Sequence, residues 1–107
     1  MSAIIVKKVD SSTGDPLQGA WFRVRFLGGT SGTGGTVIAE RQTSSNGTFI
    51  LTGLKAGTYV IEEISAPDGY VLSENDIQTV YLSGNEQDVI TVTFGNEAKG
   101  SVLIKND

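Results

Sequence analysis

Apolar and polar positions alternate along most of this chain, in short runs separated by clusters of Gly, Asp, Asn and Ser. Alternation with a period of two is the pattern of a half-buried strand, because successive side chains point to opposite faces. Helical periodicity is nearly absent. Seven strands are predicted, over 3–9, 20–27, 36–43, 48–51, 57–64, 77–82 and 89–95. Ser11 to Pro16 ends the first, and Lys55-Ala56-Gly57 leads into the fifth. Asn46-Gly47, before the fourth, suits a type I′ hairpin turn. Seven short strands at this spacing predict an all-β fold of the sandwich type.

The same alternation sorts side chains by face. Ile4 and Val6 share a face with Lys8, Tyr59 and Ile61 with Glu63, and Ile90, Val92 and Phe94 with Asn96. Each of these three strands carries an apolar face that closes with one polar residue, so Lys8, Glu63 and Asn96 are candidates for joint burial. Each also has a plainer reading. A lysine at a strand end commonly reaches out to water. Glu63 sits beside Glu62 and fits an exposed strand end, and Asn96 fits the start of a turn. A single bulge would exchange Lys7 for Lys8 or Glu62 for Glu63.

Composition narrows the chemistry. The 107 residues suffice for one domain with its own core. Hydrophobic residues make up 38% and charged residues 19%, which fits neither a disordered nor a membrane-spanning chain. A net charge of −4, with no basic run longer than Lys7-Lys8, argues against nucleic acid. The chain has no Cys and no His, which removes thiol nucleophiles, Ser-His-Asp triads and Cys/His zinc sites. No metal and no cofactor is expected, and no membrane contact.

Two segments stand apart from the strands. Gly28 to Gly35 reads GGTSGTGG, but it lacks the Gly-Lys-Ser/Thr and the following helix of a phosphate-binding loop, so it is read as a hairpin loop. Asn46-Gly47-Thr48 matches a glycosylation acceptor, although a turn accounts for it. At the end, Lys105-Asn106-Asp107 follows Val102-Leu103-Ile104, much as Lys8-Val9-Asp10 follows Ile4-Ile5-Val6. The division expected is a domain over 1–99, then a linker and the first strand of a following repeat over 100–107, with Lys105 in the place of Lys8. The alternative is a C-terminal strand that pairs locally. No leader precedes the first strand, so Met1 reads as a start placed inside a longer protein.

Four stretches together resemble the Cna B-type (prealbumin-like, SpaA-type pilin) domains of Gram-positive surface proteins. Lys8-Val9-Asp10, a turn, and Leu17-Gln18-Gly19-Ala20-Trp21-Phe22 resemble the family's opening. Asn46-Gly47-Thr48-Phe49 and Gly53 to Tyr59 resemble its middle hairpin. Glu63 followed by Ala66-Pro67-Asp68-Gly69-Tyr70 resembles its Glu-x-x-Ala-Pro-x-Gly-Tyr signature, and Val92 to Asn96 its last strand. The resemblance implies a seven-stranded Ig-like/prealbumin-like β-sandwich at the bacterial cell surface or in the cell wall. It implies that Lys8 supplies an amine, Asn96 an acyl group and Glu63 the proton-shuttling carboxyl of a self-made isopeptide bond. Burial disfavours charged forms, only a neutral amine is nucleophilic, and a neutral carboxyl polarises an amide carbonyl.

The function so implied is a monomeric stalk or spacer module, with adjacent domains of the same protein as its partners and tension carried through the cross-link. By analogy with a disulfide, closing so long a loop contributes about 4–5 kcal/mol. The competing expectation is an adhesin module that binds a host matrix protein or a carbohydrate. Trp21 would be its ligand-binding residue, since it alternates away from Phe22, Val24 and Phe26. Turnover catalysis has no support in the residues present.

Overall fold

The computed structural model describes residues 2–28, 35–72, 76–85 and 88–100. Its strands are β1 (Ser2–Asp10), β2 (Trp21–Gly28), β3 (Thr36–Gln42), β4 (Thr48–Leu54), β5 (Gly57–Ser65), β6 (Tyr70–Val71), β7 (Ile77–Leu82) and β8 (Val89–Ala98). They form two four-stranded sheets, ordered β4-β1-β8-β6 and β3-β2-β5-β7. The architecture is a two-sheet β-sandwich, as the alternation predicts. Among the described residues eight strands are present where seven were expected. The additional one, β6, pairs Tyr70 with Ala98 and Val71 with Glu97. Two residues are too few to display a period, so alternation gives no sign of it.

Every described pairing is antiparallel except one: β1 runs parallel to β8, from Ala3 beside Val89 to Asp10 beside Asn96. The first and last strands are therefore neighbours. The inward positions of both sheets meet in one core, which includes Ile4, Val6, Phe22, Phe49, Ile61 and Phe94. Phe22 stands at its centre, 5.6 Å from the Phe49 ring and 4.9 Å from that of Phe94. Full burial of a side chain of this size contributes about 1.5–3 kcal/mol.

The Asn46-Gly47 turn differs from expectation. β3 and β4 lie in different sheets, so the turn crosses the sandwich and is not a hairpin. Type I′ needs positive φ at both central residues, and Asn46 does not have it. The Gly47 amide instead donates to the Ser44 carbonyl, with Gly47 at φ +78°. The Asn46 side chain accepts hydrogen bonds from Ser44 and Thr48, which a strand-to-strand crossover uses to hold its shape. By contrast, β2 and β3 pair antiparallel, so the glycine-rich stretch does join a hairpin. Residues 29–34 of that stretch, and 101–107 with Lys105, lie outside the described residues.

Candidate functional site

Lys8 occupies an inward position of β1, and its backbone is held on the β4 side. Its amide donates to the Gly47 carbonyl at 2.8 Å, and its own carbonyl accepts from the Leu17 amide at 2.9 Å. Asn96 lies on the neighbouring β8, level with Asp10, and its carbonyl accepts from the Ser11 amide at 2.9 Å. Glu63 comes from the opposite sheet, on β5 across from Phe22 of β2. The fold thus brings one residue from each of three strands to one end of the core. Lys8, Glu63 and Asn96 are all buried, at 0%, 4% and 1% exposure, whereas Lys7 is exposed and Glu62 only half-buried.

Glu63 is the hub. Lys8 Nζ donates to its Oε1 at 2.7 Å, and Asn96 Nδ2 donates to its Oε2 at 2.9 Å. Lys8 Nζ also lies 5.9 Å from the centre of the Phe94 ring. Asn96 Oδ1 is buried without a hydrogen-bond partner among the described residues. A buried acceptor left unpaired costs about 1–3 kcal/mol, so it is a feature that calls for an explanation. Burial raises the Glu63 carboxyl from 4.5 to about 7. The Lys8 and Asn96 hydrogen bonds oppose that rise, and a hydrogen bond with the Asp76 side chain adds to it.

Two residues of this end of the molecule are missing from the sequence-derived site. Asp76 is buried just ahead of β7, and its carbonyl accepts from the Glu63 amide at 2.9 Å. A signal for it existed. Asp76 is in phase with Gln78, Val80 and Leu82, so its strand too has an inward set that ends in a polar residue. Asp10 is the second. Its Oδ1 accepts from the Ser12 and Thr13 amides, and its Oδ2 from the Tyr70 hydroxyl at 2.8 Å. Those hydrogen bonds, that from Tyr70 foremost, hold the Asp10 carboxyl below its ordinary value. The Asp of Lys-Val-Asp and the Tyr of Ala-Pro-Asp-Gly-Tyr therefore fasten the end of β1 to the start of β6, beside the cluster.

Trp21 stands elsewhere. It is 41% exposed on β2 and borders a shallow depression with Gln18, Gln42, Ser65 and Asp68. Among the described residues no group of His, Cys, Asp or Glu is arranged to hold a metal ion.

The buried Lys-Glu-Asn cluster links β1 and β8 of one sheet to β5 of the other. A family model, described as SpaA: Prealbumin-like fold domain, matches residues 2–98, and the chain belongs to that family. Among solved structures, the pilus 2b backbone protein of group B streptococcus is 32% identical, with a TM-score of 0.73 over 96% of this chain and 43% of that one. The Bacillus anthracis TIE protein is 22% identical, with a TM-score of 0.76 over 91% of this chain and 17% of that one. BcpA, the major pilin subunit of Bacillus cereus, is 22% identical, with a TM-score of 0.73 over 89% of this chain and 28% of that one. The latter two share the fold. The chain spans less than half the length of each of these structures. No curated protein matches it. The domain is of the pilin-like, structural kind, and its place is the Gram-positive cell surface.

Proposed function

We propose that this domain is a load-bearing spacer of a surface protein and that it closes itself with an isopeptide bond between Lys8 Nζ and Asn96 Cγ, promoted by Glu63. The observation that carries the reading is the pairing of Lys8 and Asn96 with the two oxygens of one buried carboxyl. The 2.7 Å Lys8–Glu63 contact is a path for the lysine's proton to reach Glu63 and leave a neutral amine. Glu63 then becomes a donor. A half-turn of the Glu63 carboxyl presents the new hydroxyl to Asn96, and a half-turn of the Asn96 amide brings the unpaired Oδ1 onto it, which satisfies the orphaned acceptor and polarises the carbonyl.

The amine then adds to Asn96 Cγ. The Nζ–Cγ bond forms, the Cγ–Nδ2 bond breaks, and the second lysine proton reaches the departing nitrogen through Glu63. One ammonia leaves per chain and nothing is turned over. Fixed placement in a dry core supplies what an amine and an amide lack in water. Residues 1–99 form the module in this reading, and 100–107 lead into a following one. Neighbouring domains of the same chain are then its partners.

Intact mass of the denatured protein tests the bond. The wild type is expected to be lighter than its sequence by one ammonia, and Lys8→Ala and Glu63→Ala to have the full sequence mass. A wild type at full sequence mass rejects the cross-link.

A further inference from the structure

Three carboxyl groups lie at this end of the core, and the proposed reaction uses one. Asp10 is occupied by Tyr70, Ser12 and Thr13. Asp76 has no part in the reaction as written, yet it is buried and leans on Glu63 twice. Its carbonyl accepts the Glu63 amide at 2.9 Å, which fixes the two residues side by side, and its side chain acts to raise the Glu63 carboxyl. The register explains the approach. Gln78 of β7 lies opposite Ile61 of β5, so Asp76 and Glu63 sit next in line on the same inward face.

We infer that Asp76 is a positioning residue for the bond-forming step, its charge favouring a proton on Glu63 so that Lys8 is left as the free amine. This rests on the Lys8–Asn96 reading. The physical argument is one of proton placement. Two carboxylates side by side in a dry core repel, and the repulsion is relieved when one of them takes a proton. The nearest proton is on Lys8, hydrogen-bonded to Glu63 Oε1 at 2.7 Å. Transfer of that proton turns an ammonium and a carboxylate into an amine and an acid, which is the reactive pair. The groups facing Glu63 are Lys8 from β1, Asn96 from β8 and Asp76 from the segment before β7, with Asp10 further along β1. Of these, Asp76 alone favours the acid form of Glu63, while Lys8 and Asn96 favour its anion.

The step has a distinct pH signature. At acid pH Glu63 is protonated with or without Asp76, and the rate depends on loss of the lysine proton alone. As pH rises the chain without Asp76 loses the Glu63 proton earlier and keeps it on Lys8. Each unit by which Glu63 falls then slows the neutral-pH reaction about tenfold.

The test uses the full chain, newly synthesised into denaturant so that it has not reacted, then diluted into buffers from about pH 5 to about pH 9. Loss of one ammonia is followed by mass spectrometry, and circular dichroism reports refolding. Asp76→Asn is expected to match the wild type at the acid end and to lag several-fold or more at neutral pH, with Asp76→Glu restoring the neutral rate. An Asp76→Asn curve that coincides with the wild type, or lies below it by one constant factor at every pH, overturns the inference. So does an Asp76→Glu variant that refolds but is as slow as Asp76→Asn. A wild type that refolds without losing ammonia rejects the Lys8–Asn96 reading itself, and the role of Asp76 with it.

Discussion

Glu63 links the chemistry of the cluster to its stability. Its folded-state carboxyl is raised to about 7 from an ordinary 4.5, chiefly by burial. A raised value means that the folded state binds the proton more tightly than the unfolded chain does. The associated stability is fully present below about pH 4.5 and is lost as pH rises through about 7. Asn96→Ala, which cannot form the bond but keeps the Lys8–Glu63 pair, isolates this effect. Its urea midpoint is expected to fall between about pH 5 and pH 8. The double variant Asn96→Ala/Glu63→Gln, which lacks this carboxyl, is expected to show no such fall. Asp10 and Asp88, both held below their ordinary value by hydrogen bonds, act in the opposite sense and at lower pH, so they do not mask the trend. A midpoint for Asn96→Ala that rises with pH contradicts this account of Glu63.

At the scale of elements, the turn at Gly47 is what seats β1 against β4 beside Lys8. Its carbonyl takes the Lys8 amide, and a Cβ added at Gly47 would lie 2.8 Å from both the Lys8 carbonyl oxygen and Pro16 Cβ. Gly47→Ala therefore meets a backbone obstacle as well as an unfavourable φ. It is expected to destabilise by more than the ~1 kcal/mol typical of a Gly-to-Ala change at a strained position, read from the denaturation midpoint. This turn also marks where alternation stops being informative. Period two located seven of the eight described strands and the inward faces of β1, β5 and β8, because each has enough residues to show a phase. It carries no information on which sheet a strand joins, so Asn46-Gly47 looked like a hairpin when it is a crossover. It placed the end of β8 at residue 95, whereas pairing with β6 carries that strand on to Ala98. The cluster was legible in part for the same reason. Lys8, Glu63 and Asn96 each end an apolar phase within a predicted strand or one residue past it. Asp76 precedes its strand in a polar stretch, and the Asp10–Tyr70 contact joins residues 60 positions apart, which no local pattern encodes.

At the scale of the whole molecule, the proposed bond changes how much chain can be drawn out. Without it, stretching the domain releases everything between residues 8 and 96, roughly 300 Å at full extension. With it, that length stays hidden. Single-molecule pulling on wild type and Glu63→Gln is expected to show the long unfolding step only in the variant. The same step in both would mean that no covalent link spans the strands. The exposed Trp21 on β2 lies in the sheet opposite β1 and β8, outside the path that the load would follow.

The parallel course of β1 and β8 has a consequence even in a chain that has not yet reacted. Two parallel neighbours pulled at opposite ends, one from Ser2 and the other from Ala98, slide past each other along their length. Their hydrogen bonds are then strained in shear, all together, and do not open one after another as in a zipper. The domain would resist stretching by its geometry even before the proposed cross-link forms.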